Sequence, residues 1–378
     1  MADFEERSSE LRDEFTDAFQ TSTDPLKAYE AIFEQLESDP FELFISDALL
    51  QCNLTDRTVV QYRIAYRQWR EFMATVGRHP ACPNDEHVRA FARWLQVEQD
   101  NGAIETIKQK LHKLNRAYRF WQHEPALPHT QHYNPFILAR ETIRWNRFED
   151  TDDKSPPPIS PQRLRTILGQ VSDIRAQLPV ATQLKLGLRV GELRNIQLQD
   201  IHLEYPALKR HYPSLGTHPR ICDHPNAIYI PGKDERSGNK SAVPRILPLD
   251  EELQQAFAQY LRIRPTCVDA WFFVSKYFSR IDLNTINEAW KGAFHPAYAE
   301  SDEYRAVTSH FGRHYFTSYW RKEQDLPKEL VQYMRGDRLG EPESADSWMH
   351  HYLHVYYEDI EERYRNDIYT LGLQEDSC

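Results

Sequence analysis

Long apolar runs are missing from this 378-residue chain. Without a stretch of about 18 hydrophobic residues, no membrane-spanning helix is expected. Cysteine is sparse: Cys52, Cys82, Cys222, Cys267 and Cys378 are scattered, odd in number and free of any Cys-x-x-Cys pair. That usage fits reduced thiols in a cytoplasmic protein and not a disulfide framework. The opening Met-Ala-Asp-Phe-Glu-Glu has neither a basic nor an apolar segment, so no secretory signal is expected. A Gly-x-x-x-x-Gly-Lys-Ser/Thr loop, a His-Glu-x-x-His helix and a Gly-x-Ser-x-Gly elbow are all absent, which argues against nucleotide hydrolysis, zincin chemistry and serine hydrolysis. His211, His218, Cys222 and His224 lie close in sequence, but their spacing matches no recurring zinc pattern. Neither metal nor cofactor is expected. Lysine is scarce relative to arginine, and an acidic, lysine-poor composition is what a salt-rich cytoplasm favours. Phosphate contacts there would work against heavy screening.

Acidic residues are abundant, and their location matters more than the total. The net charge is −11, yet residues 1–56 hold 15 Asp and Glu against 3 Lys and Arg. The rest of the chain is therefore close to neutral, and local basic faces on it can still bind phosphates.

Residues 1–53 read as an acidic helical extension, with helices over Ser8–Phe19 and, after Asp24-Pro25, over Leu26–Leu36. Phe15, Phe19, Tyr29, Phe33 and Leu36 give it apolar stripes, either solvated or contacting another protomer. Residues 54–148 read as a compact all-helical domain. Val59, Tyr62, Tyr66, Trp69 and Phe72 repeat at three and four, as do Val88, Phe91 and Leu95, and Ile107, Leu111, Leu114 and Tyr118. The third of these helices carries Lys108, Lys110, Lys113, Arg116 and Arg119 on its remaining faces. A fourth, begun by Asn134-Pro135, carries Arg140, Arg144 and Arg147. Two successive basic helices suit contacts along a nucleic-acid backbone.

The charged and proline-rich segment 149–158 is the expected linker. Residues 159–372 then read as a mixed domain, and 373–378 as a tail. Helical periodicity runs through 160–200, a loop through His202–Cys222, and helices through 251–337. The one β signal is a hairpin, with Ala227–Ile230 alternating, a turn at Ser237–Lys240 and a return at Ile246–Leu249. A last amphipathic run carries Ile360, Tyr364, Ile368 and Leu371 and is a candidate for docking into a neighbouring protomer. The fold class expected is mainly α with a small antiparallel sheet.

Within the second domain, His310-Phe-Gly-Arg313-His314 puts His310 and Arg313 on one helical face, a set of donors matched to a phosphate or carboxylate. Upstream stands Gly187-Leu-Arg189-Val-Gly-Glu192-Leu, then Lys233 and Lys240 on the hairpin, then His351-Tyr352-Leu-His354-Val-Tyr356-Tyr357. This ordered set resembles the tyrosine recombinases of the phage integrase family, including Xer-like site-specific recombinases. Thr58-Val-Val-Gln-Tyr62 is similar to the opening helix of their core-binding domain.

The resemblance implies an all-helical core-binding domain and a mixed α/β catalytic domain that clamp double-stranded DNA. Arg189 and Arg313 would clamp the scissile phosphate, as planar and permanently charged forks suit. His310 would donate to the phosphate or handle the nucleophile's proton, His314 would belong to the same box, and Glu192 would brace the arginine region. Lys233, with Lys240 as the alternate, would protonate the leaving 5′-oxygen. Tyr352, in a Tyr-x-His-Val context, would be the nucleophile, with Tyr356 and Tyr357 as packing residues or alternates. The chain departs from the family where Leu-Gly-His is usual and Arg335-Gly336-Asp337 stands instead. An aspartate accepts where a histidine donates, so Trp348, His350 or His351 would supply the donor, or Asp337 would only shape the pocket. Arg335 is a further phosphate contact. A homo-tetramer on DNA is implied, and accessory directionality proteins are possible partners. Two alternatives stay open: a catalytically inactive DNA-binding relic, and a type IB topoisomerase-like relaxing enzyme.

Overall fold

The computed structural model describes residues 11, 14–19, 22–52, 54, 56–98, 103–145, 154–267, 270–338 and 345–373, with only the helical backbone described for 345–355. The chain divides into two compact units, residues 1–153 and 154–378. Among the described residues no helix is long and apolar enough to cross a membrane.

Unit 1 is helical. Its long helices are α3 (Asp56–Thr75), α4 (Asp85–Glu98) and α5 (Ile104–His123), preceded by the short α1 (Glu30–Glu34) and α2 (Pro40–Phe44) and followed by α6 (Pro135–Thr142). The stripes read from the sequence face inward: Tyr62, Tyr66, Trp69 and Phe72 of α3 pack with Ile107, Leu111, Leu114, Tyr118 and Trp121 of α5. Asn134 caps α6, its side chain accepting from the backbone N–H groups of Phe136 and Ile137.

The expectation of a separate, solvated extension over 1–53 fails for residues 26–49. Leu26, Phe33, Phe41, Phe44, Ile45 and Leu49 are buried in the same core as α3–α5. Phe41 meets Trp121 edge-on at 4.7 Å, and Trp121 Nε1 donates to Pro40 O at 2.9 Å. Asp24 does not launch a helix to Leu36. Its carboxylate pairs with Arg78 at 2.7 Å, beside Glu30 at 3.2 Å, and a 3-10 turn, Lys27–Tyr29, precedes α1. Net acidity hid six large apolar side chains that need a partner core. Phe15, Phe19, Tyr29 and Leu36 do remain exposed.

Unit 2 is built around α8 (Ile174–Leu186), which follows α7 (Pro161–Gly169). Val180 to Leu186 are all fully buried, and even Lys185 is inside, 2.5 Å from Asp250 and 2.6 Å from Glu252. Helix α9 (Val190–Arg194), strand β1 (Ile201–His202), α10 (Pro206–His211), β2 (Ala227–Ile230) and β3 (Arg245–Pro248) come next. The three strands form an antiparallel sheet in the order β1-β2-β3, with Ile201 opposite Ile228 and Ile230 opposite Arg245. Helices α11 (Glu251–Ile263), α12 (Leu283–Phe294), α13 (Ser309–Ser318), α14 (Lys328–Arg335) and α15 (Ala345–Asp367) complete the unit. A mainly helical chain with one small antiparallel sheet is the class the sequence predicts.

Several details differ from the sequence reading. Residues 154–158 of the expected linker belong to unit 2: Lys154 pairs with Glu300 at 2.8 Å and Ser155 O accepts from Arg305 N at 3.1 Å. The 202–222 segment is not all loop, because Pro206 opens α10 at a position where a missing N–H costs nothing. The described residues of 264–282 are not helical. There Arg264 donates to Phe272 O at 3.1 Å, and Leu198 N and Phe272 N bond to Ala270 O and Ile196 O at 2.8 Å each. Finally, Ile360, Tyr364, Ile368 and Leu371 do not offer a face to a neighbour. They are buried in their own unit, and Tyr364 Oη donates to Lys185 O at 2.7 Å.

One buried histidine gives unit 1 a pH dependence. His129 is 4 % exposed among Phe33, Tyr118 and Trp121, its Nε2 2.8 Å from Ala81 O and its Nδ1 without a partner. Burial lowers its pKa from 6.5 to about 4, against the opposing bond to Ala81 O. The unfolded chain therefore takes up the proton first, and the stability this group contributes is complete above pH 6.5 and lost as pH falls toward 4. Chemical denaturation over that window should show a loss of up to about 3 kcal/mol that His129→Gln flattens. An unchanged slope in the variant would remove His129 from the account.

Candidate active site

The site begins where α8 ends. Gly187 takes a left-handed φ of +62°, and a Cβ there would lie 2.6 Å from Phe316 Cδ1. Only glycine lets the chain turn so tightly against α13. The turn delivers Arg189 to the N-terminus of α9, where Arg189 N donates to Glu192 Oε2 at 2.9 Å. The other glycine of this box, Gly191, is explained by the hairpin: a Cβ would lie 2.9 Å from Gly238 O. Asn195 Nδ2 holds the same loop through Ser237 O at 3.1 Å and Asn239 Oδ1 at 2.8 Å.

Beneath Arg189 lies a charged network sealed from solvent. Glu192 and Arg245 are both fully buried as side chains and pair at 2.9 Å. Ser241 joins them, its Oγ donating to Glu192 Oε1 and accepting from Arg245 Nη1 at 3.0 Å and from Arg189 Nη1 at 2.9 Å. Burial alone would raise the Glu192 pKa, but the charge and hydrogen bonds of Arg245, with the bonds from Ser241 and the Arg189 backbone, hold it down to about 2. The carboxylate is thus ionised throughout the neutral range. Glu192 bracing Arg189 was expected; Ser241 and Arg245 were not. The signal was there for Arg245, which keeps strand phase with the buried Leu247 and Leu249 and so had to carry its charge inward.

Helix α13 contributes the second guanidinium. Arg313 is 3 % exposed, with Nη1 donating to Gly187 O and Nη2 to Arg335 O, both at 3.0 Å. Burial, then the like charges of Arg245 and Arg189, lower its pKa to about 9, and it stays cationic at neutral pH. The Gly312 before it lies 3.0 Å from Trp290 at its Cβ position, which seats the helix close to α12. His310 and His314 stand on the exposed side of α13, ring centroids 4.5 Å apart and perpendicular. Desolvation, then the neighbouring positive groups, lower both pKa values. For His310 those groups are His314, Arg313, Arg189 and Arg335, which sets His310 beside the arginine cluster.

Arg189 and Arg313 converge on one oxygen. Asp337 Oδ1 lies 3.4 Å from Arg189 Nη2 and 3.1 Å from Arg313 Nη2, while Asp337 Oδ2 is 3.0 Å from Arg335 Nε. Arg335 makes this contact as an ion pair, without hydrogen-bond alignment at Nε. Gly336, at φ +68°, is forced by crowding: a Cβ would lie 2.6 Å from Arg245 Nη1 and 2.8 Å from Ser241 Oγ.

Lys233 and Lys240 are both exposed on the hairpin loop and both adjoin Ser241, Lys240 in sequence and Lys233 through a backbone N–H to Ser241 O at 3.0 Å. The loop geometry does not rank one over the other. Residue 352 lies in α15, one turn before Tyr356. The Tyr352 side chain is outside the described residues, as are those of Trp348, His350 and His351. Tyr356 stacks on Tyr333 of α14 at 5.5 Å, and Tyr357 is buried edge-on to His224 at 4.4 Å, donating to Glu361 Oε1. Both have packing roles. His218 and His224 likewise stack on aromatic rings, and no cluster of three or more His, Cys, Asp or Glu suited to a metal occurs among the described residues.

In unit 1 the basic face of α5 borders a cleft of about 610 Å³, lined by Thr58, Tyr62, Lys108, Lys113, Arg140 and Trp145. Lys108 lies over the Trp145 ring at 5.3 Å, and Lys113 and Arg116 over Tyr62 at 5.9 and 5.5 Å. Lys110 borders Lys113, and burial and that neighbour lower its pKa. Arg119 is exposed. Among the described residues none of the five forms an ion pair with a carboxylate. Arg144 follows α6 in irregular chain, and Arg147 is outside the described residues.

The buried network sets an expected outcome. Glu192→Gln leaves Arg245 inside without its counter-charge, a loss of about 3–5 kcal/mol. Urea denaturation of the full chain reads it directly, and a loss below about 1 kcal/mol would show that Arg245 finds another partner.

Comparison with known proteins bears on the fold and on the segment 159–341. Residues 159–341 match the model of the phage integrase family. A search of curated proteins finds no match. Among solved structures, the Tn1549 transposon integrase in complex with transposon right end DNA is 15% identical with a TM-score of 0.58, over 86% of this chain and 99% of that one. A lambda integrase dimer bound to a COC′ core site is 13% identical with a TM-score of 0.57, over 83% of this chain and 93% of that one. At such identities the likeness is one of fold, while the family match rests on the segment that holds Arg189, the hairpin and Arg313. Residues 159–341, just under half of the chain, carry a domain of the phage integrase family, the tyrosine recombinases.

Proposed function

We propose that this chain is a site-specific recombinase that cuts and rejoins double-stranded DNA through a 3′-phosphotyrosine intermediate, with no metal or ATP. The observation that carries the reading is the convergence of Arg189 and Arg313 on one anionic oxygen, with His310 and the lysine loop beside them. Two fixed guanidinium forks meeting at one point stabilise the charge that gathers on phosphoryl oxygens in the transition state. The related solved structures are integrases bound to DNA, which supports duplex DNA as the partner.

In the proposed reaction the Tyr352 phenol oxygen attacks phosphorus and the bond to the 5′-oxygen breaks. A phenol has a pKa near ~10, so its proton must be taken up as attack proceeds. His310, kept neutral by burial and its cationic neighbours, receives it. Lys233, or Lys240 in its place, gives a proton to the leaving 5′-oxygen. Reversal with a partner strand's 5′-hydroxyl restores the diester and frees the tyrosine, so the bond energy is conserved throughout. Lys108, Lys110, Lys113, Arg116 and Arg119 hold the duplex backbone: none of them forms an ion pair with a carboxylate among the described residues, and phosphates supply the anions. Exchange of four strands with one nucleophile per chain calls for a homo-tetramer on DNA, working in the cytoplasm with or without directionality proteins.

A second reading draws on Asp337, whose carboxylate fills the arginine fork as a phosphate would: a DNA-binding relic without cleavage. Incubation with a pool of nicked duplexes with randomised cores separates the two. The recombinase yields a protein–DNA adduct that survives denaturing electrophoresis and disappears in Tyr352→Phe, and Arg313→Ala lowers its formation ~10²–10³-fold. Retention of duplex without any adduct would establish the relic, and adduct persisting in Tyr352→Phe would move the nucleophile elsewhere. Relaxed plasmid without recombinants would identify a type IB topoisomerase.

A further inference from the structure

We propose that Asp337 is an intramolecular competitor for the scissile phosphate, a carboxylate that occupies the phosphate seat until a duplex displaces it. This deepens the recombinase reading and rests on it. The geometry is that of substitution, one anion standing for another. Asp337 places one oxygen between Arg189 Nη2 and Arg313 Nη2 and the other against Arg335 Nε. Carboxylate and phosphate offer guanidinium forks the same pair of acceptor oxygens.

Arg313 is held in place on its buried side. Its Nη1 donates to Gly187 O, its Nη2 to Arg335 O, and its side chain is 4 % exposed. The second N–H of Nη2 is the one Asp337 Oδ1 takes. Arg189, 29 % exposed, is braced from below by Ser241 and Glu192, so it too faces its anion from one side only.

Charge explains why a placeholder is present. Four guanidinium groups, of Arg189, Arg245, Arg313 and Arg335, gather around Glu192 and Asp337. Glu192 is shared between Arg245 and Arg189 beneath the floor of the site. Without Asp337, Arg313 and Arg335 would face Arg189 with no carboxylate of their own among the described residues while the DNA is away. Release is easy to build: Asp337 is 28 % exposed, follows the left-handed Gly336 at the end of α14, and is tied by its backbone N–H to Gln332 O at 3.0 Å. The backbone stays while the side chain rotates out. A duplex held only weakly then fails to exchange with the carboxylate, so Asp337 sets a threshold that contacts elsewhere on the duplex must meet.

Inorganic phosphate is the probe, added to the full chain with chloride controls at equal ionic strength and followed by thermal unfolding. In Asp337→Asn the like charge beside the seat is gone, and phosphate should bind at least about tenfold more tightly than in the wild-type chain. Asp337→Ser tests the same point with a smaller side chain should the amide fail to fold. On the unaltered chain, the carboxylate ¹³C resonance of Asp337 should move as phosphate saturates. Equal or weaker phosphate binding in the variants, or a resonance that stays put, overturns the proposal and leaves Asp337 as a residue that merely holds the arginines. No covalent adduct together with the tenfold gain would instead sink the recombinase reading alone.

Discussion

A carboxylate sealed between two guanidinium groups governs this molecule. Glu192 pairs with Arg245 on its buried side and with Arg189, through the backbone and through Ser241, on its open side. Taking these charges out of water is costly, and their mutual pairing and shared hydrogen bonds offset it, with Arg245 Nε alone of that guanidinium left unbonded. The pairing holds the geometry rigid. Arg189 projects from a fixed point, and the strand bearing Arg245 is locked to the helix bearing Glu192. The proposed chemistry needs this rigidity, since electrostatic stabilisation works through groups that do not reorganise as charge develops.

The rest of unit 2 brings distant chain segments to that point. Helix α8, buried on every side from Leu178 onward, is the post against which α13 leans, and Gly187 and Gly312 remove the side chains that would hold the two apart. Gly191 admits the hairpin loop and Gly336 admits the end of α14, each at a distance no Cβ would permit. Four close approaches thus set four functional segments around one site. They also show why glycine recurs immediately beside the charged residues: the backbone has to come close where the side chains must converge.

Unit 1 solves a different problem. Three of its five basic residues on α5 rest on aromatic rings, Lys108 over Trp145 and Lys113 and Arg116 over Tyr62. Rings orient the cations without neutralising them, which leaves the charge available to a polyanion. The acidic N-terminal stretch is kept out of this arrangement by spending part of its charge internally, as when Asp24 and Glu30 take Arg78.

The sequence by itself determined the class and most of the parts. Helical spacing fixed which faces of α3 and α5 are buried, the alternation at Ala227–Ile230 fixed the hairpin, and the order of the Arg189 box, the lysine loop and the His310–Arg313 box pointed to one family. These are local patterns, and local physics writes them. What only the tertiary structure decided are relations between residues far apart in the chain. Residues 26–49 join the core of unit 1 because their apolar side chains fit against α3 and α5, which no count of charges reveals. The face of α15 with Ile360 and Tyr364 turns inward because Lys185 O and the surrounding core accept it. Arg245 becomes the floor of the site only when β3 is paired and packed. Above all, an aspartate that looked in sequence like a lost histidine proves to sit between Arg189 and Arg313, because the fold of α14 carries it there and the unmatched positive charge holds it.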